Sequence, residues 1–121
     1  MFIGSLVIKG KRDIIHSRNR VKKLCSELKI RHLDTIKLMT AISEISRVMY
    51  DAFQDIKINF SIENIFDKYG LKIGFLNAKS PINTNKNIEK VELPQIQNLV
   101  DEIKKKISKK KLNIEILQYL S

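Results

Sequence analysis

Residues 36–63 read IKLMTAISEISRVMYDAFQDIKINFSIE, and the period of their apolar side chains changes part-way along. Ile36, Met39, Ile42, Ile45, Met49 and Phe53 recur at three- and four-residue steps, which predicts a long helix capped near Asp34 and reaching about Phe53. Ile56, Ile58, Phe60 and Ile62 then alternate with Lys57, Asn59, Ser61 and Glu63, the pattern of a strand with one buried face. A one-faced helix beside a one-faced strand calls for a helix layer packed on a sheet.

On the C-terminal side, Asn64 to Gly70 reads as a turn, and Leu71, Ile73 and Phe75 alternate again, so the two strands form a hairpin. Asn77 to Glu92 is a polar loop of about 16 residues, longer than most connections in a compact domain and so a candidate functional segment. Pro94 suits the first turn of a third helix, with Ile96, Leu99, Val100, Ile103 and Ile107 on its apolar face. Leu112, Ile114 and Ile116 alternate with Asn113 and Glu115, a last strand. On the N-terminal side, Phe2 to Lys9 reads as an apolar strand bounded by Gly10. Asp13 can cap a helix that has Ile14, Ile15, Val21, Leu24, Cys25 and Leu28 near one face and Arg18, Arg20, Lys22 and Lys23 facing outward. Lys29 to His32 is a short break.

The expected order is β-α-α-β-β-α-β. Adjacent hairpin strands exclude a purely alternating doubly wound fold. The expectation is an α+β two-layer sandwich, with a mixed, largely antiparallel sheet and helices on one face. No internal repeat or interdomain linker interrupts it, so residues 1–121 read as a single domain.

The composition narrows the function classes. The chain has 121 residues, 43% apolar and 30% charged, which excludes a disordered chain, a collagen-like chain and a multi-domain enzyme. No apolar run approaches the roughly 18 to 20 residues of a membrane span. Met1 to Lys9 is too short for a signal peptide. The single Cys25 excludes an internal disulfide and a multi-cysteine metal site, so the expected setting is a reducing cytoplasm with Cys25 as a small apolar residue. His16 and His32 have no ligand at metal spacing, and no nucleophile elbow or phosphate loop is present.

The net charge is +10, yet lysine (18) far outnumbers arginine (5) and isoleucine (20) outnumbers leucine (12), the codon bias of an AT-rich genome. The charge has two concentrations: Lys9 to His32, and the six lysines Lys104, Lys105, Lys106, Lys109, Lys110 and Lys111. Neither is interleaved with aromatic residues that would stack on single-stranded bases. Only four glycines occur, at 4, 10, 70 and 74.

The run Thr40-Ala41-Ile42-Ser43-Glu44-Ile45-Ser46-Arg47 resembles the first conserved helix box of the anti-sigma-factor serine kinases, the stressosome switch-kinase branch of the GHKL (Bergerat-fold, histidine-kinase-like) ATPases. That box is a threonine-alanine-hydrophobic-serine-glutamate run followed by hydrophobic-alanine-arginine-asparagine. The opening strand, the helix ending in Leu24-Cys25-Ser26-Glu27-Leu28, the break before Asp34 and the hairpin fall in the family's order. Gly70-Leu71-Lys72-Ile73 resembles the strand leading to its adenine box. Leu99-Val100-Asp101-Glu102 resembles the helix after its nucleotide lid, and Leu112 to Leu120 its closing strand.

The resemblance implies a role for each matched position, and several positions depart from it. Glu44 matches the family base for phosphoryl transfer. The magnesium-binding asparagine is replaced by Val48, which has no oxygen for a hard cation. The aspartate that accepts the adenine amino group is replaced by Asn77, and the glycines that follow it by Lys79 and Pro81. The glycine-rich lid is shortened to about 77–93 and contains no glycine. Phosphoryl transfer depends on such positioning and charge neutralisation. The resemblance therefore implies a degenerate regulatory module without cofactor, a pseudokinase that binds a protein partner (a STAS-type antagonist, a sigma factor or a PP2C-type phosphatase) or forms a homodimer. Two other expectations compete with it: a basic nucleic-acid-binding protein, and an active ATP- and Mg-dependent protein serine kinase with a variant site based on Glu44.

Overall fold

The computed structural model describes residues 1–77, 96–108 and 111–120. Its elements are β1 (Phe2–Ile8), α1 (Lys11–Glu27), α2 (His32–Phe53), β2 (Ile56–Ile65), β3 (Lys68–Asn77), β4 (Glu102–Ser108) and β5 (Lys111–Tyr119). The five strands form one sheet in the order β1-β2-β3-β5-β4. α1 packs against α2 and over β1, while α2 lies over β2 and β3. The fold is thus a two-layer α+β sandwich. All four strand pairings are antiparallel, where a mixed sheet was expected.

Alternation along each strand sets the two faces. Cross-strand rows such as Phe60–Ile73–Ile116 and Ile58–Phe75–Ile114 point to the helices and are fully or almost fully buried. Val21, Leu24, Leu38, Ile42, Ile45 and Met49 meet them from above. Removing side chains of this kind from water stabilises the fold by about 1.5–3 kcal/mol each. Among the described residues no helix covers the opposite face. There Lys72 Nζ lies 3.8 Å from Glu63 and 4.0 Å from Glu115, and the Tyr119 hydroxyl donates to Glu102.

Both expected caps sit one turn inside their helices. α1 begins after Gly10, and the Asp13 carboxylate reaches back to accept the Lys9 N–H at 2.8 Å. α2 begins after Arg31, and Asp34 holds that residue's guanidinium at 2.9 Å. An acidic side chain in the first turn is favoured by the helix dipole without being the cap. The buried seams are also shifted. Ile15 and Ile36 are exposed, and the small residues Ser17, Ala41 and Ser46 are buried instead.

The expected third helix is not formed over its described part. Ile96 to Val100 make a turn closed by Leu99 N–H to Ile96 O at 3.0 Å, and 102–108 is a strand paired with β5. Ile103 and Ile107 lie four apart, a spacing that puts them on one face of either a helix or a strand. The residue between them on that face is Lys105, whose register partner Ile114 is buried. On an edge strand a lysine stem reaches past the core to water, so the strand loses its alternation and reads as helical. The expected polar loop, apart from Asn77, and Pro94 lie outside the described residues.

The hairpin turn is tighter than the span Asn64 to Gly70. β2 and β3 pair down to Ile65–Lys68, leaving Phe66 and Asp67 as a two-residue loop with φ of 49° and 66°. Positive φ at both positions is the primed geometry that matches strand twist. Gly70 serves elsewhere. A Cβ there would stand 2.7 Å from Leu117 Cδ1, so the glycine makes room for a neighbouring strand's side chain.

Candidate functional site

The positions singled out by the resemblance lie on α2 and at the end of β3. Glu44 projects from the flank of α2, about one-third exposed, and accepts a hydrogen bond from Arg47 Nη2 at 2.7 Å. Arg47 also approaches Asp51 at 3.9 Å, so the carboxylate belongs to a short charge ladder along one helix face. The Glu44 hydrogen bond and charge raise the Arg47 pKa. Val48, one turn beyond Glu44, is half-buried and packs against the core. Its two methyl groups offer no oxygen to a cation.

Asn77 is the last residue of β3 and is wholly buried. Its Oδ1 accepts the Leu112 N–H at 2.7 Å. The side chain therefore extends the β3–β5 pairing, which otherwise runs from Gly70–Tyr119 to Leu76–Asn113. A buried backbone N–H left without a partner costs about 1–3 kcal/mol, which explains a polar side chain here on structural grounds. Leu112 carried no signal for this bond, because its own pattern is that of an ordinary core position.

These three residues do not fit a magnesium–nucleotide group. The Glu44 carboxylate is held by an arginine, Val48 offers hydrocarbon, and the Asn77 oxygen is engaged by the main chain. Among the described residues no group of three or more His, Cys, Asp or Glu side chains could hold a metal ion. Two recesses lie elsewhere. One, of about 320 Å³, is on the open sheet face among Glu63, Lys72, Glu102, Glu115 and Tyr119. The other, of about 520 Å³, lies where the α1–α2 connection meets Lys68, Asp101 and Leu120.

The basic residues are divided. Arg18, Lys22 and Lys23 are exposed on α1. Arg20, expected to face outward, turns to the sheet instead, with its guanidinium 6.0 Å from the Phe60 ring centre. Gly4 permits this, since a Cβ there would stand 2.5 Å from Arg20 Nη2. Lys104, Lys105 and Lys106 are exposed on β4, and Lys111 begins β5. Lys109 and Lys110 lie outside the described residues. β1, beneath α1, and β4 are the two edges of the sheet, four inter-strand spacings or about 19 Å apart. Among the described residues the two concentrations of charge do not merge into one stripe.

The remaining reactive groups are quiet. Cys25 is buried, and that burial raises its thiol pKa; a Thr35 hydrogen bond opposes the rise and the Asp34 charge adds to it. Since the thiolate is the nucleophile, both the burial and the raised pKa disfavour reaction at Cys25. His16 is exposed, 3.6 Å from Asp13. Among the described residues no helix is long and apolar enough to cross a membrane. Comparison with protein-family models and with curated proteins gives no match to this chain.

Proposed function

We propose that the chain is a degenerate GHKL-like regulatory module of Bergerat type that acts by binding another protein, without ATP hydrolysis or phosphoryl transfer. The reading starts from the Thr40–Arg47 run and the order of the first five elements. The observation that carries the loss of catalysis is Asn77, at the family's adenine-reading position. It is fully buried, with its oxygen taken up by the Leu112 N–H. Val48 supports the same conclusion at the metal position. The partner class is the one the resemblance implies, an antagonist of STAS type, a sigma factor or a PP2C-type phosphatase, and the setting is the cytoplasm.

Calorimetric titration of the full chain with ATP and magnesium tests it. The expected result is no saturable heat. Saturable binding with a micromolar Kd overturns the degenerate-site reading. Labelled phosphate transferred to a protein substrate, and lost in Glu44→Gln, would establish the active-kinase alternative instead.

A further inference from the structure

The sheet face turned away from the helices holds a recess of about 320 Å³ near the hairpin end of β3. Over the centre of that face β3 contributes only Gly70, Lys72 and Gly74. Glu63 of β2 stands directly opposite Gly70, and Glu115 of β5 directly opposite Gly74. Lys72 is therefore the one β3 side chain between the two carboxylates. Its Nζ lies 3.8 Å from Glu63 Oε1 and 4.0 Å from Glu115 Oε1. Both separations exceed a direct hydrogen bond and match a gap spanned by one bridging oxygen, at about 2.7–2.9 Å from each side. Glu102, which accepts the Tyr119 hydroxyl, closes the recess on the β4 side.

Phe66 stands at the rim of this recess and is badly placed for the fold alone. Its φ is 49°, a region that a bulky side chain enters only at a cost, and a two-residue primed loop prefers Asn or Gly there. The residue is 96% exposed, so burial does not offset the strain. Strain kept at a residue that the fold does not use points to a use outside it. The other aromatic wall, Tyr119, already has the Lys68 ammonium 5.7 Å from its ring centre.

We infer that the recess binds a saccharide, a neutral ligand with adjacent hydroxyls. Its charged lining is Glu63, Glu102 and Glu115 against Lys72 and Lys104, with the signs interleaved. A cation entering it meets Lys72, and an anion meets the carboxylates. A hydroxyl suits both, because it donates its proton to a carboxylate while accepting from Lys72 Nζ. Adjacent hydroxyls of one ring bridge Lys72 to Glu63 and to Glu115 together. The C–H face of that ring turns to Phe66, which gains the cover it lacks. The volume is at the small end of the range of ligand sites, about 300–1,000 Å³, and suits a mono- or disaccharide. Lys72 is five residues from Asn77, about 17 Å along β3 and on the other sheet face, so the site is separate from the nucleotide position.

Backbone amide NMR of the full chain, titrated separately with glucose, galactose, mannose and N-acetylglucosamine, tests this. Additions to about 50 mM saturate a site with a Kd of about 1 mM. At least one of these sugars is expected to give saturable shifts centred on Glu63, Lys72 and Tyr119, with the same affinity at about 0.05 and 0.5 M salt. Lys72→Met should weaken that affinity about tenfold or more, through the loss of charge-assisted bonds. Lys57→Met, at the other end of the same face, should leave it unchanged. Phe66→Asn relieves the turn, so it should raise the urea midpoint and yet lower the affinity, a combination that a purely structural residue does not give. That variant decides the matter if Lys72→Met fails to fold. Silence from every one of the sugars overturns the proposal. So do shifts that lie elsewhere, an affinity that falls steeply with salt, or an equal loss in Lys57→Met. A Phe66→Asn chain that binds as tightly as the wild type, or is less stable than it, overturns it as well.

Discussion

β1 and β4 end the same sheet, yet one has no charged side chain between Phe2 and Ile8 and the other has three lysines in a row. They are also anchored differently. β1 holds β2 through main-chain pairing, with a bulge at Phe2–Gly4 and the Arg20 guanidinium lying against Gly4. Among the described residues β4 pairs with β5 alone, and it adds side-chain fasteners, Tyr119 to Glu102 and Asp101 to the Tyr119 N–H at 2.7 Å. A sheet need not protect both ends in the same way. Charge placed on one edge leaves the other available for a defined contact without inviting open-ended growth.

Replacing Lys104, Lys105 and Lys106 together by threonine breaks the contrast most severely. Both edges would then be uncharged over their central residues, and edge-to-edge assemblies larger than those of the unsubstituted chain should appear by light scattering. A variant no larger than the wild type would mean that the lysines do not guard β4. Gly4→Ala sharpens the contrast from the other side. Gly4 has φ of 153°, which a side chain tolerates poorly, so the substitution should cost about 1–3 kcal/mol in urea unfolding. The contact with Arg20 is the lesser part, because a guanidinium can swing away. Hence Arg20→Ala in the same chain should recover little. Gly74→Ala is the control, with nothing closer to the added Cβ than Asn113 Oδ1 at 3.9 Å.

The smallest effect belongs to Tyr119→Phe, which removes an exposed fastener of β4 and should leave the thermal midpoint within measurement scatter. Its pH signature has a fixed sign. The Glu102 hydrogen bond raises the Tyr119 pKa, aided by slight desolvation and nearby acidic charge. The folded state therefore keeps its phenol proton longer than the unfolded state. The stabilisation is complete below the ordinary tyrosine range and is lost as pH rises above it. A wild-type stability curve that instead rose there relative to Tyr119→Phe would contradict this fastening.

The two helices, β1, the β2–β3 hairpin and β5 were legible because their buried residues are spaced by the period of the element they form. β4 was not, since Lys105 occupies its inward row and the Ile103–Ile107 spacing suits both periods. Strand order was not legible either, because an apolar alternation tells which face is buried and nothing about the neighbour on each side. At the candidate site, Glu44 and Val48 could be placed on one helix flank from their spacing. The Asn77 bond to Leu112 joins residues 35 apart, and the inward turn of Arg20 depends on a glycine in another element. The glycine count also takes on a different weight. Lys29, Gln54, Phe66 and Asp67 all adopt positive φ without being glycine, so this chain economises on glycine at ordinary turns as well as in the stretch aligned with the lid.

The place of β5 has a consequence for synthesis. It follows every other described strand in sequence but lies inside the sheet, between β3 and β4. On the ribosome, β1, both helices, β2 and β3 can associate while Leu71, Ile73 and Phe75 still lack half of their cross-strand cover. That exposed edge of β3 persists until residues 111–119 emerge and insert. The growing chain is therefore most exposed to mispairing in that interval, and a chaperone or a slow-decoding stretch would have its greatest effect there.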